Sequence, residues 1–310
     1  MWSRTAASIE HNEGQKCFGK DRDMCNTIRM ELYKLFRMRS FWVTMLISVI
    51  VIIATAASLV TDIEEDNQMQ TTLIGAGAEG NSESDNTSIQ FGITEDVEGM
   101  DTSDLQVTQI YGTHLASGLF NLVNGIFLVL FVTADRKNGY IKNIGGQVKY
   151  RSSLIWAKWV AAAVYTLVFD VVMFVVEAAG MGISLGYLHW GDVKAYLPVI
   201  GVQMLLQYVF LIVCMTITMA VRSRALGMVA AVCLSMGLAS LVCMGLDSLF
   251  LRFFKGEEIH LEQYLLTTKM GEMAPGAGTV QIRNILLLVA GYFVVATVLE
   301  LVLTRKRDLV

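Results

Sequence analysis

Between Asp62 and His114 the chain has no Lys or Arg at all, although it has twelve acidic residues there. Charge is scarce elsewhere too, because Asp, Glu, Lys and Arg make up only 17% of the residues, against 54% hydrophobic residues. So apolar a composition excludes an ordinary soluble globular domain. These deficits predict an integral membrane protein.

Long apolar runs recur along the rest of the chain. A helix that crosses the hydrocarbon core of a bilayer needs about 20 residues. Six segments meet this length: about 41–60, 115–133, 159–181, 197–221, 225–247 and 284–304. We therefore predict an all-α integral membrane protein with six transmembrane helices in a single domain, residues 26–310.

The basic residues indicate which way the chain enters the membrane. With the N-terminus inside, nineteen of the 24 Lys and Arg residues lie in cytoplasmic segments and five lie outside. The positive-inside rule then places both termini in the cytoplasm, residues 61–114 in an outer acidic loop and residues 134–158 in a long inner loop. Residues 1–25 are polar without periodicity, and we expect a disordered or non-native extension there.

An amphipathic segment precedes the first span. Apolar residues recur at i, i+4, i+7 and i+8, namely Ile28, Leu32, Leu35 and Phe36. This spacing predicts a helix with one apolar face. Basic residues on the same segment favour an interfacial helix on the inner leaflet. Alternatively, the segment is a basic flank that only orients the first span.

Polar residues lie at helical spacing inside three of the spans. They are Ser117, Asn121 and Asn124 in the second span, Thr166, Asp170 and Glu177 in the third, and Gln203 and Gln207 in the fourth. Polar groups at membrane depth are costly and avoid lipid. Two interpretations stay open: they line a translocation path for substrate or a coupled ion, or they form interhelical hydrogen bonds that hold the bundle together.

The inner loop is long, and it has glycines where sharp turns are possible, at Gly139 and at Gly145-Gly146. Nowhere does the chain contain the phosphate-loop pattern GxxxxGK[ST]. We therefore expect no ATP binding by that route, no catalysis by this chain and no cofactor of its own. No cluster has the spacing of a metal site.

Two stretches resemble a known family. MELYKLFRMRSFWV, followed by a large outer loop, and the later run with Asp135, Gly139, Tyr140, Ile141 and Lys142 are similar to type-2 ATP-binding-cassette (ABC) transporter permeases. The resemblance implies a connecting helix at 28–38 and, within 135–152, a coupling helix that docks on an ATPase subunit through Asp135, Gly139, Tyr140 and Lys142. Asp135 stands where a Glu is more usual.

The resemblance also implies a function. Two six-helix units, identical or sister permeases, would enclose the path between them in a cell membrane, and the partner ATPase would bind ATP and Mg. Similar small permeases are bacterial exporters of peptide antibiotics or of sodium. We expect export of antimicrobial peptides or other amphipathic compounds, hence antibiotic resistance, without nucleic acid. The alternative is an ion-coupled secondary transporter that uses Asp170 and Glu177, although inverted repeats and broken helices, usual in such folds, are not evident.

Overall fold

The protein is predominantly helical. A computed structural model describes residues 24–65, 70–72, 94–96, 106–116, 118–137, 152–184, 190–191, 193–253, 261–271 and 279–306. Its helices are α1 (Met24–Arg37), α2 (Arg39–Glu65), α3 (Val107–Ala116), α4 (Gly118–Lys137), α5 (Ser152–Ser184), α6 (Val193–Val221), α7 (Arg224–Ser235), α8 (Leu238–Phe253), α9 (Leu266–Gly271) and α10 (Thr279–Lys306). A 3-10 helix covers Leu261–Tyr264, and two short strands, β1 (Gln70–Thr72) and β2 (Thr94–Asp96), pair antiparallel within the acidic loop.

Four of these helices are long and apolar enough to cross a membrane. The spans are Gly118–Asp135, Ser153–Ile183, Tyr196–Val221 and Val280–Leu303. Two further helix pairs qualify only if each bent pair counts as one span, which gives up to six. The prediction of a membrane-embedded helical protein is therefore confirmed at this coarser level.

The distribution of apolar side chains supports the same conclusion. Large hydrophobic residues face outward along α2, where Trp42, Leu46 and Ile50 are exposed, and along α10, where Leu287 is 68% exposed. Meanwhile, several carboxylates and amides are buried inside the bundle. An apolar exterior of this extent is the surface that lipid solvates and water does not.

Two of the predicted spans are bent. Helices α1 and α2 meet at 56° around Met38, whose amide still donates to the carbonyl oxygens of Lys34 and Leu35. The span predicted at 225–247 is not a single helix, because α7 and α8 meet at 73°. Gly237 lies between them with φ 72°, a left-handed conformation that glycine adopts without steric cost.

Small residues bring α4, α6 and α7 close together. A Cβ atom on Gly118 of α4 would lie 2.5 Å from the carbonyl oxygen of Ser235, and one on Gly227 of α7 would lie 2.9 Å from the Thr218 hydroxyl. Gly227, Ala231 and Ser235 are buried at successive four-residue steps along α7. Such spacing lets helix backbones approach within a membrane.

The segment between α8 and α10 folds back against the bundle. Leu266 and Met270 of α9 are buried, and Met270 Sδ accepts a hydrogen bond from Asn121 Nδ2 at 3.1 Å. Tyr292 of α10 donates to the carbonyl oxygen of Tyr264 at 3.0 Å. These two hydrogen bonds attach the segment to α4 and to α10.

Candidate functional site

Four charged side chains, three of them buried and the fourth (Lys34) 20% exposed, form an ion network between three helices. Glu31 and Lys34 come from α1, Asp135 from the last turn of α4, and Lys158 from the second turn of α5. Lys34 Nζ lies 3.0 Å from Glu31 Oε2, and Lys158 Nζ lies 3.3 Å from Glu31 Oε1. Both ammonium groups also donate to the Asp135 carboxylate, one to each oxygen.

An aromatic ring closes the ion network on one side. Phe131, one turn before Asp135, is fully buried, with Lys34 Nζ 4.4 Å and Lys158 Nζ 5.4 Å from its ring centroid. Cations near an aromatic face are stabilised by the ring quadrupole. The ring also shields the ion pairs from water, which strengthens their attraction.

The charge balance explains how these residues tolerate burial. Two carboxylates face two ammonium groups, so the network is neutral, and Glu31 and Asp135 are only 1% and 4% exposed. Removing one partner from such a buried pair costs several kcal/mol, because the remaining charge is left uncompensated. The network therefore locks α1 to both α4 and α5.

The network stands at the two ends of the long inner loop. Asp135 precedes residues 138–151 and Lys158 follows them. Of the predicted coupling residues, only Asp135 is described; Gly139, Tyr140 and Lys142 lie outside the described residues. The family resemblance implies that Asp135 contacts a partner subunit, and the structure buries Asp135 against two lysines of the same chain.

The face of α1 that is buried in the protein lies next to the predicted apolar face. Leu35 is buried, but Phe36 is 41% exposed, while Ile28 and Leu32 are only partly buried. The buried stripe of Thr27, Glu31 and Leu35 is shifted by about one residue. Pairing with the two lysines makes the burial of Glu31 favourable. A prediction from the spacing of apolar residues does not include such ion pairs.

The candidate translocation residues lie inside the helix bundle. Ser117 lies outside the described residues, and the other seven are at most 4% exposed: Asn121, Asn124, Thr166, Asp170, Glu177, Gln203 and Gln207. The structure therefore places these seven side chains within the bundle and not on the surface of the described part of the chain.

Several of these side chains make interhelical hydrogen bonds. Tyr165 of α5 donates to Asn124 Oδ1 at 2.6 Å, and Gln203 Nε2 donates to the carbonyl oxygen of Gly112 at 3.4 Å. By contrast, neither the carboxylate oxygens of Asp170 nor the amide of Gln207 has a hydrogen-bond partner among the described residues. Asn124 thus fits the interpretation that polar residues hold the bundle together through interhelical hydrogen bonds. The Asp170 carboxylate, by contrast, is available to bind a proton, an ion or water.

A second polar cluster, which sequence reasoning missed, involves His114. Sequence reasoning placed His114 in the outer loop, but it lies on α3 with 1% exposure. Its Nδ1 is 3.1 Å from Glu177 Oε2, and its Nε2 is 3.1 Å from the Thr55 hydroxyl. The Thr55 hydroxyl donates its own proton to the Ile52 carbonyl. Its oxygen is therefore placed to accept a hydrogen bond from His114 Nε2.

Glu300 of α10 is also buried within the bundle. It is 0% exposed, and its carboxylate accepts hydrogen bonds from Trp159 Nε1 at 2.7 Å and from the Thr216 hydroxyl at 2.9 Å. These bonds join α10 to α5 and α6. Burial is stable here because both carboxylate oxygens have donors.

No group of three His, Cys, Asp or Glu side chains is arranged to hold a metal ion within the described part of the chain. The sequence does contain one G-x-S-x-G pattern, centred on Ser184. Ser184 is the last residue of α5, a helix, whereas a serine nucleophile of that motif sits between a strand and a helix. The pattern therefore lacks its catalytic context.

Comparison with known proteins gives no family assignment. No protein-family model matches the sequence. A search of curated proteins likewise gives no match.

Proposed function

We propose that the chain is the membrane subunit of an ATP-driven ABC exporter, with the ATPase on a separate subunit that binds ATP and Mg. Its cargo would be antimicrobial peptides or other amphipathic compounds, and it would work beside a second permease in a bacterial cytoplasmic membrane. The support comes from the resemblance in the loop sequence and from the ion network at the ends of that loop.

The ion network is the observation that carries the proposal. A loop that receives a push from an ATPase can transmit it only if its ends are rigidly connected to membrane helices. Asp135 and Lys158 anchor the two ends to each other, and Glu31 and Lys34 anchor both to α1. Displacing residues 138–151 would therefore move α1, α4 and α5 together.

The sequence of events follows from that connection. ATP binding would draw the ATPase subunits together and push on the loop. Since α1 continues into α2 through the bend at Met38, the same displacement would tilt α2. A change in the angle between α2 and the α4–α5 pair is how the path would open to the opposite side of the membrane.

Copurification tests the proposal directly. A tagged chain, solubilised from native membranes in mild detergent, should retain an ATP-hydrolysing subunit that mass spectrometry identifies. A loop variant with Tyr140→Ala and Lys142→Glu should lose that subunit while keeping its melting temperature, because neither residue is one of the four that form the ion network. Arg283→Gln, an exposed cation on α10, is the matched control and should retain it.

Failure of the unaltered chain to retain any ATPase would contradict the proposal. Orientation gives a second test, with the five native cysteines first replaced by serine. Gln147→Cys should then be shielded from a membrane-impermeant maleimide in intact cells, and Asp85→Cys should react. The opposite labelling would place the loop outside, where no ATPase can reach it.

One observation favours a second candidate, an ion-coupled secondary transporter. Asp170 is buried in α5 with two carboxylate oxygens that lack hydrogen-bond partners among the described residues. Buried carboxylates of this kind occur in proton and ion relays. Transport that survives ATP depletion, stops with a protonophore and is lost in Asp170→Asn would favour this candidate over the exporter.

A further inference from the structure

One buried acid differs from the others in the helix bundle. Five carboxylates are buried in the described part of the chain: Glu31, Asp135, Asp170, Glu177 and Glu300. Four of them lie against a basic group or a hydrogen-bond donor. Asp170 of α5 is 1% exposed, and neither of its carboxylate oxygens has a hydrogen-bond partner or a compensating basic group among the described residues. Its burial therefore needs a different explanation.

An ionised carboxylate in this position would be costly. An unpaired charge inside a membrane protein loses its hydration without gaining a counter-charge. A carboxyl group that has taken up a proton has no net charge, and it becomes a hydrogen-bond donor as well as an acceptor. Because no basic side chain among the described residues compensates Asp170, burial favours its neutral form.

The neighbouring hydroxyl groups do not supply the missing donor. Two tyrosine hydroxyls lie close enough to the Asp170 carboxyl group to interact with it electrostatically, those of Tyr111 on α3 and Tyr165 on α5. However, the Tyr111 hydroxyl donates to the main-chain carbonyl oxygen of Asp170 at 2.9 Å, and the Tyr165 hydroxyl donates to Asn124 Oδ1 at 2.6 Å. Since a hydroxyl has one hydrogen to donate, neither has another for the carboxylate.

The other titratable groups on α5 and on its neighbouring helices do not compensate Asp170 either. Glu177 lies seven residues further along α5, and His114 Nδ1 is 3.1 Å from its carboxylate. Lys158, near the start of α5, belongs to the ion network, and Glu300 of α10 has its own donors. Helices α2 and α6, which also pack against α5, have no buried Asp, Glu, Lys, Arg or His among their described residues.

We propose that Asp170 is the binding site of an exchangeable proton, and that the protein in this conformation holds Asp170 as a neutral carboxylic acid. The proton comes from water, adds to one carboxylate oxygen and returns to water on release, so the bundle interior gains or loses one charge. Helix α3 contacts this position through the Tyr111 hydroxyl, and movement of α3 would admit the water with which the proton exchanges. The inference names an ion for the ion-coupled candidate, but it requires neither of the two candidate functions.

Infrared spectroscopy tests the site. A protonated carboxyl group has a C=O stretching band that an ionised carboxylate lacks, and carbon-13 in the side-chain carboxyl of aspartate shifts that band. In nanodiscs at neutral pH, the labelled protein should show a band that Asp170→Asn lacks and that shifts further in heavy water as the proton exchanges. Asp135→Asn is the matched control and should retain the band, because Asp135 is also a buried aspartate but is paired with two lysines.

Thermal unfolding gives a separate readout. Asparagine has the shape of a protonated aspartate and no charge, so Asp170→Asn should shift the melting temperature by no more than about 3 °C, whereas Asp135→Asn should lower it by more than that. Three outcomes would overturn the proposal: no band that Asp170→Asn removes, a band that never shifts in heavy water, or a fall in melting temperature in Asp170→Asn as large as in Asp135→Asn. The first outcome would show an ionised Asp170 held by water or by a metal cation. Neither readout involves an ATPase or transport, so a failure here is distinct from a failure of either candidate function.

Discussion

The ion network makes a quantitative prediction about stability. Lys158→Met keeps the length of the side chain but removes its charge, so Glu31 and Asp135 share only the ammonium group of Lys34. The cluster then carries one uncompensated negative charge in a region where these carboxylates are almost fully buried. Breaking a buried pair in this way costs about 3–5 kcal/mol of unfolding free energy, which corresponds to a decrease of about 10 °C in melting temperature.

A double-mutant cycle separates charge from packing. Asp135→Asn alone leaves an excess positive charge and should also destabilise, whereas Asp135→Asn combined with Lys158→Met restores neutrality. We expect the double variant to lose at least about 1.5 kcal/mol less than the sum of the two single losses. The measurement is thermal unfolding in nanodiscs, followed by intrinsic fluorescence.

The control and the contradicting result are both specific. Arg224→Met removes an exposed charge and should change the unfolding free energy by no more than about 0.5 kcal/mol. The four charges would not act as a unit if the unfolding free energy of Lys158→Met lay within about 1 kcal/mol of that of the unaltered protein. The same would follow if the losses of the two single variants summed to the loss of the double variant. The connection between α1 and the loop would then have no energetic basis.

Two further predictions concern the packing of the helices. Gly118→Ala should lower the unfolding free energy by about 1–3 kcal/mol, because its Cβ would lie 2.5 Å from the Ser235 carbonyl oxygen. Gly112→Ala, with open space around it, is the control and should be neutral or slightly stabilising. Equal thermal unfolding of the two variants would contradict this prediction. Tyr165→Phe and Asn124→Leu should each lower the unfolding free energy, since the two side chains share a 2.6 Å hydrogen bond. A double-mutant cycle should give a coupling energy of about 0.6–1.7 kcal/mol. Zero coupling would show that this hydrogen bond makes no net contribution to stability.

The sequence predicted those features that a one-dimensional pattern determines. Apolar runs of sufficient length predicted helices at nearly every place where the structure has a candidate span. Polar spacing on α5 predicted that Asp170 and Glu177 avoid lipid, and both are buried. Long hydrophobic runs and a costly buried charge are local properties, so no tertiary information was needed for either.

Features that depend on partners distant in sequence were missed. Glu31 reads as a polar interruption of an apolar face, and besides the nearby Lys34 its burial depends on pairing with Lys158, 127 residues away. Likewise, His114 follows an acidic loop and was assigned to it. A signal did exist there: Val107, Ile110, Tyr111, His114 and Leu115 recur at i, i+3, i+4, i+7 and i+8, and all five are buried. The acidic residues that precede this apolar stripe favoured its assignment to the outer loop.

The close approach of α4 to α7 has a consequence for motion. With no room for even a methyl group between Gly118 and the Ser235 carbonyl, neither helix can slide past the other without a collision of backbones. Sliding of α4 along α7 is therefore sterically blocked at this contact, and a displacement of α7 relative to α8 is left to the turn at Met236 and Gly237. Stiffening that turn would thus restrict any change in the angle between α7 and α8 without touching a single charged side chain.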